Sequence, residues 1–319
     1  MRNIAILGAG AFGTALAIAM SRSGRRVTLW ARDANLAKDM QRSRRSGPRL
    51  PDLDLPETLS VTGDLGGVET EVVLICVPMS SLPELLQRPD LRTPDVFVAC
   101  MKGIDPHTQL TPTAIIQAAR PGAEVAALTG PSFAADIAQS LPTAVTLACA
   151  NESLGADLQR LLSGQTLRLY RTTDVVGAEL GGAIKNVVAL AAGVAIGAGL
   201  GESARASVIA RGMAEMMRIT EHLGGAPSTM SGLSGLGDLV LTATSEKSRN
   251  YRAGIALGAG APLPAETTEG LATARALSDI AARLGIEAPI AKTITGLIDK
   301  TMTVEDAITD VLARPLRKE

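Results

Sequence analysis

The stretch Asn3–Ala17, NIAILGAGAFGTALA, decides the fold because it joins a strand to a helix through a glycine-rich turn. Asn3–Leu7 is a short apolar run typical of a buried strand, and about Ala11–Ser21 has the alanine, leucine and isoleucine content of a buried helix. Between them, residues 8–13 have the pattern G-x-G-x-x-G. In this position the pattern indicates a turn that binds the pyrophosphate of a dinucleotide at a helix N-terminus.

Each glycine of this turn has its own physical reason to be a glycine. Gly8 permits the tight turn, Gly10 lets a pyrophosphate approach the backbone, and Gly13 lets the helix pack closely on the strand. The free N–H groups and partial positive charge of the helix N-terminus also favour phosphate. We therefore predict cofactor contacts at these three glycines. A tight strand-to-helix turn without a ligand is the alternative.

Alternating strands and helices continue for about half of the chain. The predicted strands after the first are Arg26–Trp30, Leu59–Thr62, Val72–Val77, Val96–Cys100, Val125–Leu128, Thr143–Ala148 and Leu167–Tyr170. Apolar strands that alternate with helices favour an α/β fold with a doubly wound, mainly parallel sheet covered on both faces. We predict a dinucleotide-binding Rossmann-type domain over residues 1–178.

The pattern becomes entirely helical near residue 174. The predicted helices are Val175–Ala198, Ala204–Leu223, Thr268–Leu284 and Ile290–Leu297. We predict an all-α substrate-binding domain over residues 179–319.

Composition narrows the class of protein. The 319 residues carry a formal net charge of −1 and only 2% aromatic residues, which argues against a nucleic-acid partner. Cys76, Cys100 and Cys149 lie in apolar runs and indicate a reducing, cytoplasmic setting, and two histidines are too few for a His/Cys metal cluster. Glycines interrupt the apolar run near the N-terminus, and Val187–Gly201 is too short to span a bilayer comfortably, so we predict no membrane insertion.

The end of the second strand predicts which dinucleotide binds. An acidic residue there bonds the ribose 2′-hydroxyl of NAD, whereas an arginine accommodates the 2′-phosphate of NADP. Arg32 favours NADP(H) as the preferred cofactor, and Asp33 keeps NAD(H) open. The basic run Arg42, Arg44, Arg45 and Arg49 either extends this positive field or forms a solvated loop.

Further polar residues lie where ligands of open α/β sheets bind. Lys102 follows a strand, the Gly130–Ala134 loop follows another, and Lys185 stands before a long apolar segment. Burial and nearby cations would lower the pKa of Lys185, which suits proton exchange with an alcohol or carbonyl oxygen. A lysine that reaches solvent from a helix end is the alternative.

A second polar segment predicts a phosphate site. Ser248, Arg249 and Asn250 offer a hydroxyl, a guanidinium and an amide in succession. A helix N-cap with a surface arginine is the alternative reading of the same residues.

Taken together, these segments resemble the bacterial NAD(P)-dependent glycerol-3-phosphate dehydrogenase family. The matching words are GAGAFGTALA, WAR, KGI, GPSFA, GGAIKNVVALAAG, GLGDLVLT, SRN and TEG, in the family's order. The resemblance implies reversible reduction of dihydroxyacetone phosphate to sn-glycerol 3-phosphate, which feeds phospholipid synthesis. It also implies a site in the cleft between the two domains and a homodimer.

The resemblance carries site roles onto individual residues. The family's catalytic lysine falls on Lys185, which would protonate the carbonyl oxygen as hydride arrives. Its substrate contacts fall on Lys102, Gly130, Ser132, Asp238, Ser248, Arg249 and Asn250. Its cofactor contacts fall on Ala11, Phe12, Arg32, Lys102, Ala134, Arg249, Thr267 and Glu269.

The chain departs from the family pattern at a few positions, and two other functions stay open. The departures are Met79, Asp136, Thr267 and the Gly201–Ser203 segment, and none removes a catalytic group. A 3-hydroxyacid-type dehydrogenase is one alternative, although that type places an asparagine four residues after the lysine and this chain has Ala189. A non-catalytic NADPH-binding sensor is the other, because the fold alone does not exclude it.

Overall fold

The computed structural model describes residues 3–50, 52–266 and 268–312. Its strands form one eight-stranded sheet in the order β3-β2-β1-β4-β5-β6-β7-β8. The strands are β1 (Ile4–Leu7), β2 (Val27–Trp30), β3 (Leu59–Thr62), β4 (Val72–Ile75), β5 (Val96–Ala99), β6 (Glu124–Thr129), β7 (Thr143–Ala148) and β8 (Leu167–Thr172). All eight predicted strands are present.

Neighbouring strands run parallel except β6 and β7, which are antiparallel. The predicted doubly wound, mainly parallel sheet is therefore confirmed. The order reverses at β1, because β2 and β3 lie on one side of it and β4 to β8 on the other. The carboxyl ends of the strands beside such a reversal are where open α/β sheets bind ligands.

The helices surround the sheet and then form the rest of the described chain. They are α1 (Ala11–Arg22), α2 (Ala34–Ser43), α3 (Leu82–Gln87), α4 (Pro112–Ala119), α5 (Ala134–Ala138), α6 (Glu152–Leu162), α7 (Val175–Gly197), α8 (Gly201–His222), α9 (Asp238–Ala243), α10 (Arg249–Gly258), α11 (Glu269–Leu284), α12 (Pro289–Ile298) and α13 (Val304–Leu312). The predicted long helices lie within three residues of these bounds. The four helices predicted after residue 174 do not include α9, α10 and α13.

Alternating strand residues divide the first part of the molecule into two apolar layers. Ile4 and Ile6 of β1 face the cluster that contains α1, whereas Ala5 and Leu7 face the cluster that contains α3 and α4. A third cluster, centred on α7, fills the helical part. Burial of both faces explains why the strands are apolar throughout.

Helix α7 is longer than the apolar run used to judge membrane insertion. It spans 23 residues and by length and hydropathy alone could cross a bilayer, so the prediction that its apolar segment is too short was wrong. The helix begins upstream of Val187, and its apolar window is 83% buried against the rest of the protein. This is the environment of a core helix.

Helix α10 lies very close to α7 and runs in the same direction. Pairs of glycines four residues apart, Gly193 and Gly197 on α7 and Gly254 and Gly258 on α10, form the contact. A Cβ added at Gly193 would lie 2.3 Å from the carbonyl oxygen of Tyr251, so a larger side chain would push the helices apart. This packing fixes the start of α10 beside the middle of α7.

Candidate active site

The glycine-rich turn between β1 and α1 has the geometry of a phosphate-binding turn. Gly8 has φ +118, and an added Cβ would lie 2.8 Å from the carbonyl oxygen of Cys76. At Gly13 an added Cβ would lie 2.1 Å from the carbonyl oxygen of Gly8. An added Cβ at Gly10 would meet no atom of the described residues within 4 Å apart from its chain neighbours, and no described side chain caps α1. The turn therefore offers open space and free N–H groups, which fit a dinucleotide pyrophosphate.

Helix α5 contacts the helix that follows this turn. It packs against α1, and its first residue, Ala134, is half-buried against the same apolar cluster as Phe12. The two predicted cofactor residues Ala11 and Phe12 open α1. The structure thus packs the helix that begins at Ala134 against the helix that follows the predicted pyrophosphate turn, although the two segments lie far apart in sequence.

Arg32 and Asp33, which follow β2, differ in their contacts. Asp33 is the N-cap of α2, where its carboxylate accepts hydrogen bonds from the backbone N–H groups of Asn35 and Leu36. Arg32 is exposed and makes no hydrogen bond or ion pair within the described residues. Trp30, which ends β2, is buried, and its indole N–H donates to the carbonyl oxygen of Gly63. Arg32 is therefore available to a phosphate, while Asp33 stabilises a helix.

Most arginines of the basic run Arg42–Arg49 form ion pairs or hydrogen bonds with nearby residues. Arg42 pairs with Asp39, and Arg45 pairs with Asp52 and Asp54. Arg44 donates to backbone carbonyl oxygens, including that of Leu59. Three of the four arginines are thus occupied locally, which favours the reading as a solvated loop.

Two lysines and one carboxylate form the centre of the candidate site. We call Lys102, Lys185, Asp238 and Thr242 the lysine network. Lys102 Nζ lies 2.5 Å from Asp238 Oδ2 and donates to the carbonyl oxygen of Gly130 at 2.9 Å. Lys185 Nζ lies 3.0 Å from Asp238 Oδ1 and donates to Thr242 Oγ1 at 2.7 Å. One buried carboxylate therefore bridges two ammonium groups, one from the loop after β5 and one from α7.

Burial sets the protonation of this network. The side chain of Lys185 is only 8% exposed and that of Asp238 only 2%. Burial lowers the pKa of Lys185 to about 8; Asp238 opposes this shift and the Lys102 charge adds to it. Lys185 is therefore buried, hydrogen-bonded and close to its protonation midpoint at neutral to mildly basic pH. This is the state expected of a proton donor and acceptor rather than of a lysine that reaches solvent.

Glu269 and Arg249 lie within the electrostatic reach of the network. Burial raises the pKa of Glu269, while the charges of Arg249, Lys185 and Lys102 lower it. Arg249 is exposed and makes no hydrogen bond or ion pair with the part of the chain that is described. Thr267, the other predicted late cofactor residue, lies outside the described residues.

The predicted phosphate segment begins α10. Ser248 is the N-cap, and its hydroxyl oxygen accepts from the N–H of Tyr251. The amide of Asn250 is also occupied, because it donates to Asn186 Oδ1 at 2.9 Å and accepts from the N–H of Gly270. The N-cap alternative is therefore correct for Ser248, whose hydroxyl proton nevertheless remains able to donate. Only Arg249 presents an unpaired charge.

The Gly130–Ala134 loop supplies the opposite wall. The carbonyl oxygen of Gly130 accepts from both Lys102 and the Ser132 hydroxyl. Gly130 has φ +123, and an added Cβ would lie 3.2 Å from Val145 Cα. The loop thus holds Ser132 beside Lys102.

Sequence reasoning missed two polar residues of the site. Thr242 lies one helical turn after Asp238 in α9, so the i, i+4 spacing could have placed both on one face. Asn186 follows Lys185 and holds Asn250, which joins α7 to the start of α10. In the described residues no group of three or more His, Cys, Asp or Glu side chains could hold a metal ion.

Comparisons with known proteins identify the family of the chain. A family model described as NAD-dependent glycerol-3-phosphate dehydrogenase N-terminus matches residues 3–155, and its C-terminus counterpart matches residues 174–309. The chain belongs to the NAD-dependent glycerol-3-phosphate dehydrogenase family. The resemblance noted in the sequence is therefore confirmed.

Members of this family from several bacteria cover the whole chain. The glycerol-3-phosphate dehydrogenase [NAD(P)+] of Paracoccus denitrificans is 54% identical over 99% of this chain and 100% of its own length. That of Cereibacter sphaeroides is also 54% identical, over 99% and 100%. The crystal structure of glycerol-3-phosphate dehydrogenase from Coxiella burnetii is 35% identical, with a TM-score of 0.92 over 98% of this chain and 99% of that chain.

The departures from the glycerol-3-phosphate dehydrogenase pattern have local contacts. Met79 is buried at the start of a 3₁₀ turn and packs near Gly103. Asp136 pairs with Lys247, and Glu202 pairs with Arg205. None of these contacts touches Lys185 or Asp238.

Proposed function

We propose that this protein interconverts dihydroxyacetone phosphate and sn-glycerol 3-phosphate, with NAD(P)H as the hydride donor. Family membership over both halves of the chain supports this activity. The observation that carries the proposal is the buried Lys185 ammonium, held by Asp238 and Thr242 beside the Lys102–Gly130 contact. A scaffold that only binds a dinucleotide would not need a second buried lysine on the same carboxylate.

Lys185 acts as the general acid and base. In reduction, its ammonium donates a proton to the carbonyl oxygen, and in oxidation the neutral amine removes the proton of the alcohol. Asp238 holds the lysine in place and stabilises the charged form, whereas burial and Lys102 favour the neutral form. The balance places the pKa of Lys185 at about 8, so both forms are available near neutral pH.

Substrate binding falls to groups from both parts of the molecule. Lys102 and Ser132 lie on the sheet side, and Arg249 lies on the helical side with Ser248 and Asn250 next to it. The guanidinium of Arg249 binds the phosphate of the triose, because a charge-assisted bidentate contact suits that group. Asn250 acts mainly by holding its segment against Asn186.

Cofactor binding falls to the glycine-rich turn and its neighbours. The bound nicotinamide supplies or accepts the hydride. Gly8, Gly10 and Gly13 form the cradle for the pyrophosphate, and Ala11, Phe12, Ala134 and Glu269 line the neighbouring surface. Arg32 makes NADP(H) the preferred dinucleotide, because its exposed guanidinium is unpaired while Asp33 is used as an N-cap.

The wider assignments follow from the same reading. The chain divides into a dinucleotide-binding domain over residues 1–178 and a substrate-binding domain over residues 179–319. It works as a cytoplasmic homodimer on a small triose phosphate, without nucleic acid or membrane insertion. Three cysteines without a disulfide support the reducing compartment. The glycerol 3-phosphate formed supplies phospholipid synthesis.

The test is loss of reduced nicotinamide absorbance with dihydroxyacetone phosphate, measured with NADPH and NADH in parallel. We expect rapid oxidation with both cofactors and a higher kcat/KM for NADPH. Binding of NADPH without oxidation would contradict the proposal and favour the sensor, and turnover only with 3-oxo acids would favour the 3-hydroxyacid type.

A further inference from the structure

One contact joins the two walls of the site and is not needed for the chemistry described above. Lys247 Nζ lies 3.2 Å from Asp136 Oδ1 and 5.6 Å from the centre of the Phe133 ring. Phe133 and Asp136 belong to the start of α5, on the sheet side. Lys247 lies between α9 and α10, immediately before Ser248.

The residues of this contact lie within two positions of predicted binding residues. Phe133 stands between Ser132 and Ala134, and Lys247 precedes the phosphate segment Ser248–Asn250. The same loop is also contacted from the helical side near Pro131, since an added Cβ at Gly237 would lie 3.5 Å from the Pro131 ring. Lys102 Nζ also joins the Gly130 carbonyl oxygen to Asp238, so the two walls are held together at three places.

The turn that carries Lys247 is closed by its own hydrogen bonds. The N–H of Lys247 donates to the Ser245 hydroxyl, and the N–H of Ser248 donates to the Ser245 carbonyl oxygen. Ser248 then caps α10. Because the turn and the helix start are joined in this way, a restraint on the Lys247 side chain also restrains the placement of Arg249.

We propose that Lys247 is a positioning residue that sets the distance between the Ser132 loop and the Ser248–Asn250 segment. This proposal rests on the proposed function, because those two segments are its substrate walls. The ammonium makes two contacts of different kinds, an ion pair and a cation–π contact, on one short loop. Loss of the contact lets the walls separate and weakens binding of the triose phosphate, while Lys185 keeps its hydrogen bonds to Asp238 and Thr242.

The first test is Lys247→Met, which keeps the apolar stem and removes the charge. We expect KM for dihydroxyacetone phosphate to rise about three- to tenfold, as two partly exposed contacts are lost. We expect kcat and KM for NADPH to stay within about twofold. An unchanged KM for the substrate would overturn the proposal, as would a loss of kcat without a rise in KM.

Asp136→Asn separates positioning from direct binding of phosphate by Lys247. If Lys247 positions the wall, this variant also raises KM for dihydroxyacetone phosphate, because the ion pair is lost. If Lys247 binds the phosphate itself, removal of its competing carboxylate leaves KM unchanged or lowers it, and the proposal is wrong.

Rescue and control variants complete the kinetic test. Lys247→Arg keeps both contacts and should retain the original KM. The double variant Asp136→Lys, Lys247→Asp restores the ion pair in the reverse sense and should recover part of the lost affinity. Arg275→Met removes an ion pair of comparable exposure with Asp299, away from the named site residues, and should leave KM unchanged.

Thermal unfolding of the ligand-free protein tests the contact without using activity. The Tm changes of Lys247→Met and Asp136→Asn should be less than additive in the double variant, since both remove one interaction. Additive Tm changes would show that Lys247 and Asp136 do not interact. If the original protein turns over no dihydroxyacetone phosphate, the proposed function fails, while this unfolding cycle still decides whether Lys247 joins the two walls.

Discussion

The candidate site contains charged groups in two opposite states. In the lysine network every charge is buried or nearly so and has a partner at hydrogen-bond distance. Arg32 and Arg249 are exposed and have no side-chain partner within the described residues. This difference matches the two tasks of the proposed function: the lysine network is already hydrogen-bonded without substrate, whereas the two arginines are free to bind a phosphate.

Each state has a physical cost that suits its task. A buried ammonium loses its hydration, and the bridging carboxylate only partly compensates for that loss. The remaining cost of desolvation lowers the pKa of Lys185. An exposed guanidinium keeps its hydration and is always charged, so it can attract an anion without further preparation. In the proposed function, proton transfer depends on the buried groups and recognition of phosphate on the exposed ones.

Replacement of Lys185 should produce the largest effect. We expect Lys185→Ala to lower kcat by about 10²- to 10⁴-fold, the range typical of a general acid, with little loss of NADPH affinity. Steady-state turnover and NADPH titration check this. Lys292→Ala, an exposed lysine on α12, is the matched control. Near-normal kcat in Lys185→Ala would remove Lys185 from the proton-transfer role.

The pH dependence should show the same lysine. Reduction needs the protonated form, so its kcat/KM should fall as pH rises through about 8, while that of oxidation should rise through the same value. Asp238 raises the pKa of Lys185, so Asp238→Asn should move the midpoint to lower pH. A midpoint that is the same in both proteins would show that another group controls the profile.

Replacement of Arg249 should affect recognition rather than chemistry. We expect Arg249→Ala to raise KM for dihydroxyacetone phosphate about tenfold or more, from a charge-assisted contact worth about 1.5–3 kcal/mol. The control is a substrate analogue that lacks the phosphate, for which KM should be nearly the same in the variant and in the original protein. An unchanged KM for the phosphorylated substrate would place the phosphate elsewhere.

Replacement of Arg32 should produce the smallest effect, confined to cofactor choice. We expect Arg32→Ala to weaken NADPH about fivefold more than NADH, the scale of one exposed ion pair. Arg168→Ala on β8, at the far edge of the sheet, serves as the control. Equal loss for the two cofactors would show that Arg32 does not contact the 2′-phosphate.

The fold was largely predictable because its signals are local. Each strand is a short apolar run, and the turn at Gly8–Gly13 lies between a strand and a helix that are adjacent in sequence. The helix Val175–Ala198 was predicted nearly to its bounds, and only the statement that its apolar run is too short for a bilayer failed, because that run was taken to begin at Val187. The segments that cover α7 lie far from it in sequence. Coverage by other elements has no local signal.

The site was only partly predictable from the residues themselves. Lys185 was singled out as a lysine before an apolar segment and Asp238 through the family resemblance, but they lie 53 positions apart and their pairing appears only in three dimensions. The role of Asn250 was assigned to phosphate, whereas its amide is held by Asn186 and Gly270. The contact of Lys247 with Asp136 spans 111 residues, and neither residue is distinctive alone.

Trp30 gives the cofactor half of the molecule an optical signal of its own. It is the single tryptophan of the sequence, is buried at the end of β2, and stands two residues before Arg32. Reduced nicotinamide absorbs light in the range where tryptophan emits, so bound NADPH should quench its fluorescence by energy transfer. Cofactor affinity can therefore be measured in Lys185→Ala, in which loss of turnover leaves no absorbance change to follow.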